Sequence, residues 1–143
     1  MGLTISLDIC RRVSYIAGFE EDEMIRQLKF VGIPVGDQDR ALAFYRDKLG
    51  FKIHTDQPMG KQRWIELKIP GAETMVVLFT PEEHKDRVGT FFNGSFACDS
   101  VEKTFEELKS RGVEFSQEPK KEPWGTSAIF KDSEGNSFVL GTR

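Results

Sequence analysis

The chain has 143 residues, of which 38% are hydrophobic and 30% are charged, and its net charge is −3 at pH 7. This length supports one hydrophobic core rather than two domains of ordinary size. The acidic balance argues against nucleic-acid binding, no run of about 18 apolar residues is present to span a membrane, and two cysteines are too few for a disulfide framework, so we expect a cytoplasmic protein.

Residues 1–23 lie outside an internal duplication that fills the rest of the chain. We expect this N-terminal extension not to belong to the native start, which we place at Met24, directly before the first predicted strand. Residues 24–143 then form a single domain of two modules, 24–80 and 91–143, joined by a link at 81–90.

The first module begins with an alternating strand predicted from Leu28 to Gly36. A helix follows from its N-cap Asp37, with one apolar stripe, and ends at Gly50 in a position typical of a left-handed residue. Phe51 to Ile53 is a short predicted strand, and the next nine residues are polar and rich in turn formers.

Two further strands are predicted at 63–70 and 74–81. In the first of them Ile65 and Leu67 point to the core side, whereas Trp64, Glu66 and Lys68 point to the other side. A short helical turn is predicted to start at Pro81.

The same order of elements returns in the second module. Ser100 is the second N-cap, Gly112 ends the second helix, and strands are predicted at 91–99, 113–115, 126–132 and 136–142. An offset of 62 residues lays Gly50 on Gly112 and Glu66 on Ala128. Each module therefore reads β-α-β-β-β, an α+β class.

The chain resembles the vicinal oxygen chelate superfamily, which includes glyoxalase I, bleomycin-resistance proteins, fosfomycin-resistance enzymes and extradiol dioxygenases. The resemblance rests on DRALAFYRDKLGF, on the second helix ending in Arg-Gly-Val, on Pro-Trp-Gly at 123–125, and on KDSEGNSFVL. It implies two βαβββ modules whose curled mixed sheet surrounds a cup, with helices on the outer face, commonly in a homodimer.

The resemblance also implies four metal-ligand positions, which fall at Phe30, Val77, Asn93 and Val139. Three of these residues offer only hydrocarbon, and a lone amide is a poor ligand for zinc, nickel or iron. His54 and His84 lie in charged, turn-like stretches typical of solvated histidines. We therefore predict no metal and no other cofactor.

Alternation along the strands predicts the remaining lining of the cup. Glu66 is the candidate catalytic group, able to act as an acid, a base or an anchor for a cationic or hydroxylated ligand, although pairing with Lys68 or with a basic group across the sheet is an equal alternative. The predicted ligand-binding set is Phe30, Trp64, Glu66, Val77, Phe79, Asn93, Ser95, Trp124 and Val139. A simpler alternative is that these aromatic side chains fill a collapsed cup.

Two functions remain open. The first is a metal-independent protein that binds a small apolar or aromatic molecule in a dimer cup, as bleomycin-resistance proteins do. The second is a lyase, isomerase or dioxygenase of the same superfamily that uses an unrecognised metal site or Glu66 alone. Fold by itself does not decide between them.

We predict that a variant starting at Met24 unfolds at the same temperature as the full chain, because the duplicated segments carry the whole predicted core. Thermal unfolding followed by circular dichroism measures this, and a midpoint lowered by several degrees would contradict it. N-terminal sequencing of the native protein that found Met1 or Gly2 would show that Met24 is not the native start.

Overall fold

The computed structural model describes residues 24–91 and 94–143. Two βαβββ modules follow one another along the chain, as the duplication predicts. The first module contains β1 Phe30–Pro34, α1 Gln38–Ala43 with a π-helical continuation Phe44–Lys48, β2 Lys52–Met59, β3 Gln62–Lys68 and β4 Met75–Phe79. The second contains β5 Gly94–Cys98, α2 Val101–Ser110, β6 Glu114–Glu122, β7 Gly125–Lys131 and β8 Ser137–Thr142.

Each module builds its own mixed four-stranded sheet. The strand orders are β1-β4-β3-β2 and β5-β8-β7-β6, so the two sheets have the same topology. In each sheet the first strand pairs in parallel with the last, and the remaining pairs are antiparallel. The duplication in the sequence is therefore a duplication of sheet topology.

The helix ends follow the predicted capping. The Asp37 carboxylate accepts a hydrogen bond from the Arg40 amide at 3.0 Å, and Ser100 Oγ accepts one from the Lys103 amide at 3.2 Å. Gly50 and Gly112 have φ of 81° and 88°, the left-handed conformation that glycine adopts without a steric penalty.

The first helix departs from a regular α-helix at its C-terminal end. The Leu49 amide donates to the Phe44 carbonyl at 3.2 Å, a bond spanning five residues. Such a wider turn is a π-bulge. Phe44 and Tyr45 at its start are both buried in the core, where they are 5% and 0% exposed.

One continuous core joins the helix-facing sides of both modules. Ile33, Ile65 and Leu78 from the first sheet belong to the same cluster as Phe130 and Leu140 from the second. Rings of the two modules touch directly, since Tyr45 lies edge-on to Phe138 with centroids 6.4 Å apart and Phe51 lies near Phe96 at 5.6 Å.

Three local predictions were wrong. Residues 54–59 continue β2, where a polar connection was expected, and β6 extends to Glu122, beyond the strand predicted at 113–115. Both strands are largely exposed, so the apolar alternation that marks a half-buried strand is absent from them. The helical turn in the link lies at Lys85–Arg87, not at Pro81.

The strand register shows that the offset of 62 residues between the modules does not hold for β3 and β7. Glu66 pairs with Val77 across β3 and β4, whereas Ile129 pairs with Val139 across β7 and β8. The structural counterpart of Glu66 is therefore Ile129 and not Ala128. Ala128 is fully buried in the core, on the helix-facing side.

The turn between β7 and β8 ties the second module to the first. Buried Asp132 accepts hydrogen bonds from Tyr45 Oη at 2.7 Å and from Asn136 Nδ2 at 2.9 Å. Asn136, which is 0% exposed, also donates to the Pro34 carbonyl and accepts from the amides of Gly89 and Phe91. Burial, followed by the neighbouring Asp132 carboxylate, raises the pKa of Tyr45 well above its usual value.

Glu134, in the same turn, binds the N-terminus of α1. Its carboxylate accepts hydrogen bonds from the amides of Gly36 and Asp37 and from the Arg40 guanidinium, at 2.8 to 3.1 Å. Burial alone raises the pKa of Glu134, but these bonds, with a further one from Ser133, lower it from 4.5 to about 2. The N-terminus of α1 also stabilises the negative charge of Glu134, because the free backbone amides there carry partial positive charge.

None of the helices in residues 24–91 and 94–143 is long and apolar enough to cross a membrane.

We predict that Glu134→Gln destabilises the fold by about 2 kcal/mol at pH 7, since hydrogen bonds to a charged group are lost. The lowered pKa means that the contribution of Glu134 is complete above about pH 4.5 and is lost as the pH falls toward about 2. Urea unfolding at several pH values measures this. Glu106→Gln, on the exposed side of α2, is the control and should behave as the unmodified protein. An equal loss of stability with pH in both variants would contradict the role of Glu134.

Candidate functional site

The face of the first sheet that lies away from the helices brings the predicted residues together. Gly32, Val77, Glu66 and Thr55 are successive partners across β1, β4, β3 and β2, so they form one row. Val77 is 2% exposed yet lies outside the helix-side core, which contains its neighbours Val76 and Leu78. The row therefore belongs to the opposite, cup-facing side, as strand alternation predicts.

Aromatic rings cover this row. Phe30 lies on β1 one step to one side of the row, Trp64 lies on β3 one step to the other side, and their rings meet edge to face with centroids 5.5 Å apart. A Cβ on Gly32 would lie 3.1 Å from the Phe79 ring, so glycine at this position allows that ring to pack against the strand. The rings of Phe30, Trp64 and Phe79 thus cover Val77 and Glu66, and we call these three rings the aromatic floor.

Glu66 is buried without a partner. It is 8% exposed, and no residue in the described part of the chain forms a hydrogen bond or ion pair with its carboxylate. Lys68 is exposed and makes no such pair, so the alternative in which these two residues neutralise each other is wrong within one chain.

The equivalent face of the second module is more open. Ser95, Val139, Ile129 and Gln117 form the matching row across β5, β8, β7 and β6. Ser95 is exposed and the other three are half-buried. Asn93, the remaining candidate here, lies outside the described residues.

The two cup-facing surfaces are on the outer sides of the common core. Because the helix-side faces of both sheets pack into that core, Glu66 and Val139 lie on surfaces that one chain does not bring together. We call these two outward faces the half-cups, one on each module.

Trp124 follows β6 and is 79% exposed at the turn into β7. Its position at the edge of a cup stays a prediction. Nothing in the described part of the chain packs its ring against another aromatic ring.

A cleft of about 840 Å³ lies between the modules, and sequence reasoning missed it. It follows the edge of β5 from Ser95 to Cys98 and is closed by the turn at Ile69–Ala72 and by the start of α2. Ser95 of the second half-cup lines it, whereas Glu66 and Val139 do not, so the cleft adjoins the second half-cup at the edge of β5 and is separate from the first. The cleft depends on contacts between the two modules. The residue periodicity within each module does not report such contacts, so the sequence did not predict the cleft.

The histidines do not join the candidate site. His54 is exposed on β2, and His84 is exposed in the link with φ of 58°. In residues 24–91 and 94–143, no three His, Cys, Asp or Glu side chains are placed to hold a metal ion. The absence of a metal stays a prediction.

Residues 27–140 match the family model of the Glyoxalase/Bleomycin resistance protein/Dioxygenase superfamily. The chain belongs to this superfamily. Uncharacterized protein YetH from Bacillus subtilis (strain 168) is 39% identical over 118 residues, which cover 82% of this chain and 98% of YetH.

Two solved structures of similar sequence have the same fold. UcmS2 is 37% identical with a TM-score of 0.77, and the match covers 84% of this chain and all of that one. TnmS3, described as an antibiotic binding protein from Streptomyces sp. CB03234, is 32% identical with a TM-score of 0.78, covering 84% of this chain and 98% of its own.

The metal that the superfamily implies does not fit the residues present here. Phe30, Val77 and Val139 occupy ligand positions with hydrocarbon side chains, and Glu66, which lies beside Val77, belongs to no group of three His, Cys, Asp or Glu side chains in the described residues. A catalytic zinc site normally has three protein ligands. The donor set is therefore too small for the inherited site.

We predict less than one bound metal ion per chain after incubation with zinc, nickel, manganese or iron and desalting, and no glyoxalase I activity with any of them. Elemental analysis and a methylglyoxal-glutathione assay are the measurements. One metal ion per chain that is lost in Glu66→Gln would favour the enzyme hypothesis. Loss in His54→Ala or His84→Ala instead would locate a metal site that strand spacing does not reveal.

Proposed function

We propose that the protein binds a small apolar or aromatic molecule without a metal, in a cup formed between two copies of the chain. The observation that carries the proposal is the aromatic floor of Phe30, Trp64 and Phe79 on a face that the described residues leave uncovered. Small-molecule sites are mostly apolar with a few polar groups, and this face has that character. The similarity to TnmS3, an antibiotic binding protein, supports the same function.

The proposed dimer follows from the arrangement of the half-cups. Each half-cup offers one side of a pocket, and the edge strands β1 and β5 lie next to them at one end of each sheet. A second copy related by a two-fold axis would set the first-module face of one chain against the second-module face of the other. Such an arrangement would also cover two open strand edges. Trp124, exposed on its turn, is our candidate for the rim of the cup.

We also propose a cytoplasmic location. The thiol of Cys98 is free and half-buried on the core side of β5, which suits a reducing compartment.

We predict a homodimer at micromolar concentration that binds the neutral fluorescent dye N-phenyl-1-naphthylamine. Light scattering measures the mass, and the rise in dye emission measures binding. Native mass spectrometry of the purified dimer would reveal any retained ligand. A monomer that binds no dye would overturn the proposed function.

Mixing two variants tests whether the cup is shared. Phe30→Arg should block the first-module face and Val139→Arg the second-module face, so neither homodimer should bind the dye. After subunit exchange, mixed dimers should regain about a quarter of the sites, since half the dimers are mixed and each has one intact cup. No recovery would place the site within one chain. Glu106→Arg is the control for a surface charge and should bind as the unmodified protein.

A further inference from the structure

We propose that Glu66 makes the cup selective for ligands that carry a protonated amine on a flat apolar body. This inference rests on the proposed binding function and adds the chemistry of the ligand. It is carried by a side chain that is 8% exposed beside aromatic rings and whose accessible carboxylate has no partner in the described part of the chain.

Other buried acids of the chain are fully used. Asp132 accepts hydrogen bonds from Tyr45, from the Asn136 side chain and from the amides of Glu134 and Asn136. The Glu134 side chain, which is 0% exposed, binds Arg40 and two backbone amides. Buried carboxylates are normally satisfied in this way because burial of an unpaired charge is unfavourable. Glu66 is therefore an exception within its own structure.

The oxygens of Glu66 face the cup. Every fully buried side-chain oxygen or nitrogen in the described residues has a hydrogen-bond partner. Because Glu66 has none, its oxygens must reach the open face between the rings. A ligand atom lying on this face can contact them.

The surroundings favour a cation over a neutral donor. Trp64 and Phe30 lie on the two sides of the Glu66 row, and aromatic faces attract ammonium groups. A hydrogen bond between an ammonium and a carboxylate is roughly twice as strong as one between neutral groups. Arg63, the nearest arginine along β3, is already paired with Asp56 and Asp39, so the strand does not supply the cation itself.

The test compares 2-naphthylmethylamine with 2-naphthylmethanol, which have the same ring system and differ in the charged group. Isothermal titration of the full-length protein should give an affinity for the amine about tenfold higher than for the alcohol. In Glu66→Gln the ratio should fall to about one, because the amide keeps the size and polarity of the side chain and removes the charge. Glu73→Gln, exposed in the turn between β3 and β4, should keep the tenfold ratio.

Thermal unfolding checks that the variant is intact. Glu66→Gln should unfold at about the same temperature, since the Glu66 carboxylate makes no bond within the described part of the chain. Equal binding of the two probes by the unmodified protein would overturn the inference, and so would a ratio that survives Glu66→Gln. Lys131 lies two residues from Ile129 on β7, on the face of the second half-cup. If Lys131 of a second copy neutralised Glu66, the ratio would be one from the start and Lys131→Gln would lower the melting temperature, which also overturns the inference.

The failure of this inference is distinguishable from failure of the proposed function. Binding of N-phenyl-1-naphthylamine without any preference for the amine leaves a binding protein whose Glu66 has another role. No binding of the dye or of either naphthyl probe overturns both.

Discussion

The turn from Asp132 to Asn136 is the constraint on which the arrangement of the two modules depends. Its buried side chains bond to Tyr45 on α1 and to the Pro34 carbonyl at the end of β1, and Glu134 binds the helix N-terminus. Buried polar groups have few alternative geometries once they are fully bonded, so this network fixes position more strictly than apolar packing alone. The two sheets are held with their helix sides together.

That arrangement decides where binding can occur. With the helix sides joined in one core, the remaining face of each sheet is on the outside, and each carries only half of a cup. The first half-cup is lined by Phe30, Trp64 and Phe79. The second half-cup, around Ser95 and Val139, has smaller side chains and is more exposed. Two unlike halves suit a ligand that stacks on one side and fits into the other.

The first half also combines two features that stability alone would not select. Val77 and Glu66 are neighbours on adjacent strands, one a hydrocarbon in an inherited ligand position and the other a buried acid without a partner. The Glu66 carboxylate makes no bond within the described residues, so the fold does not require its charge, and its oxygens stay accessible to a ligand on this face.

The sequence by itself determined the duplication, both helix caps and the glycines that end the helices, because these depend on local geometry and on a period that can be read along the chain. It also placed Glu66, Trp64 and Val77 on one face of the first sheet, since successive side chains of a strand point to opposite faces. The long hairpin strands β2 and β6 escaped prediction because both of their faces are largely solvated. The pairing of Glu66 with Val77 but of Ile129 with Val139, the division of the cup into two halves and the cleft between the modules were decided only in the tertiary structure. Each depends on strand register or on contacts between modules. Both involve residues far apart in the chain, and the periodicity of the sequence does not show which of these residues meet.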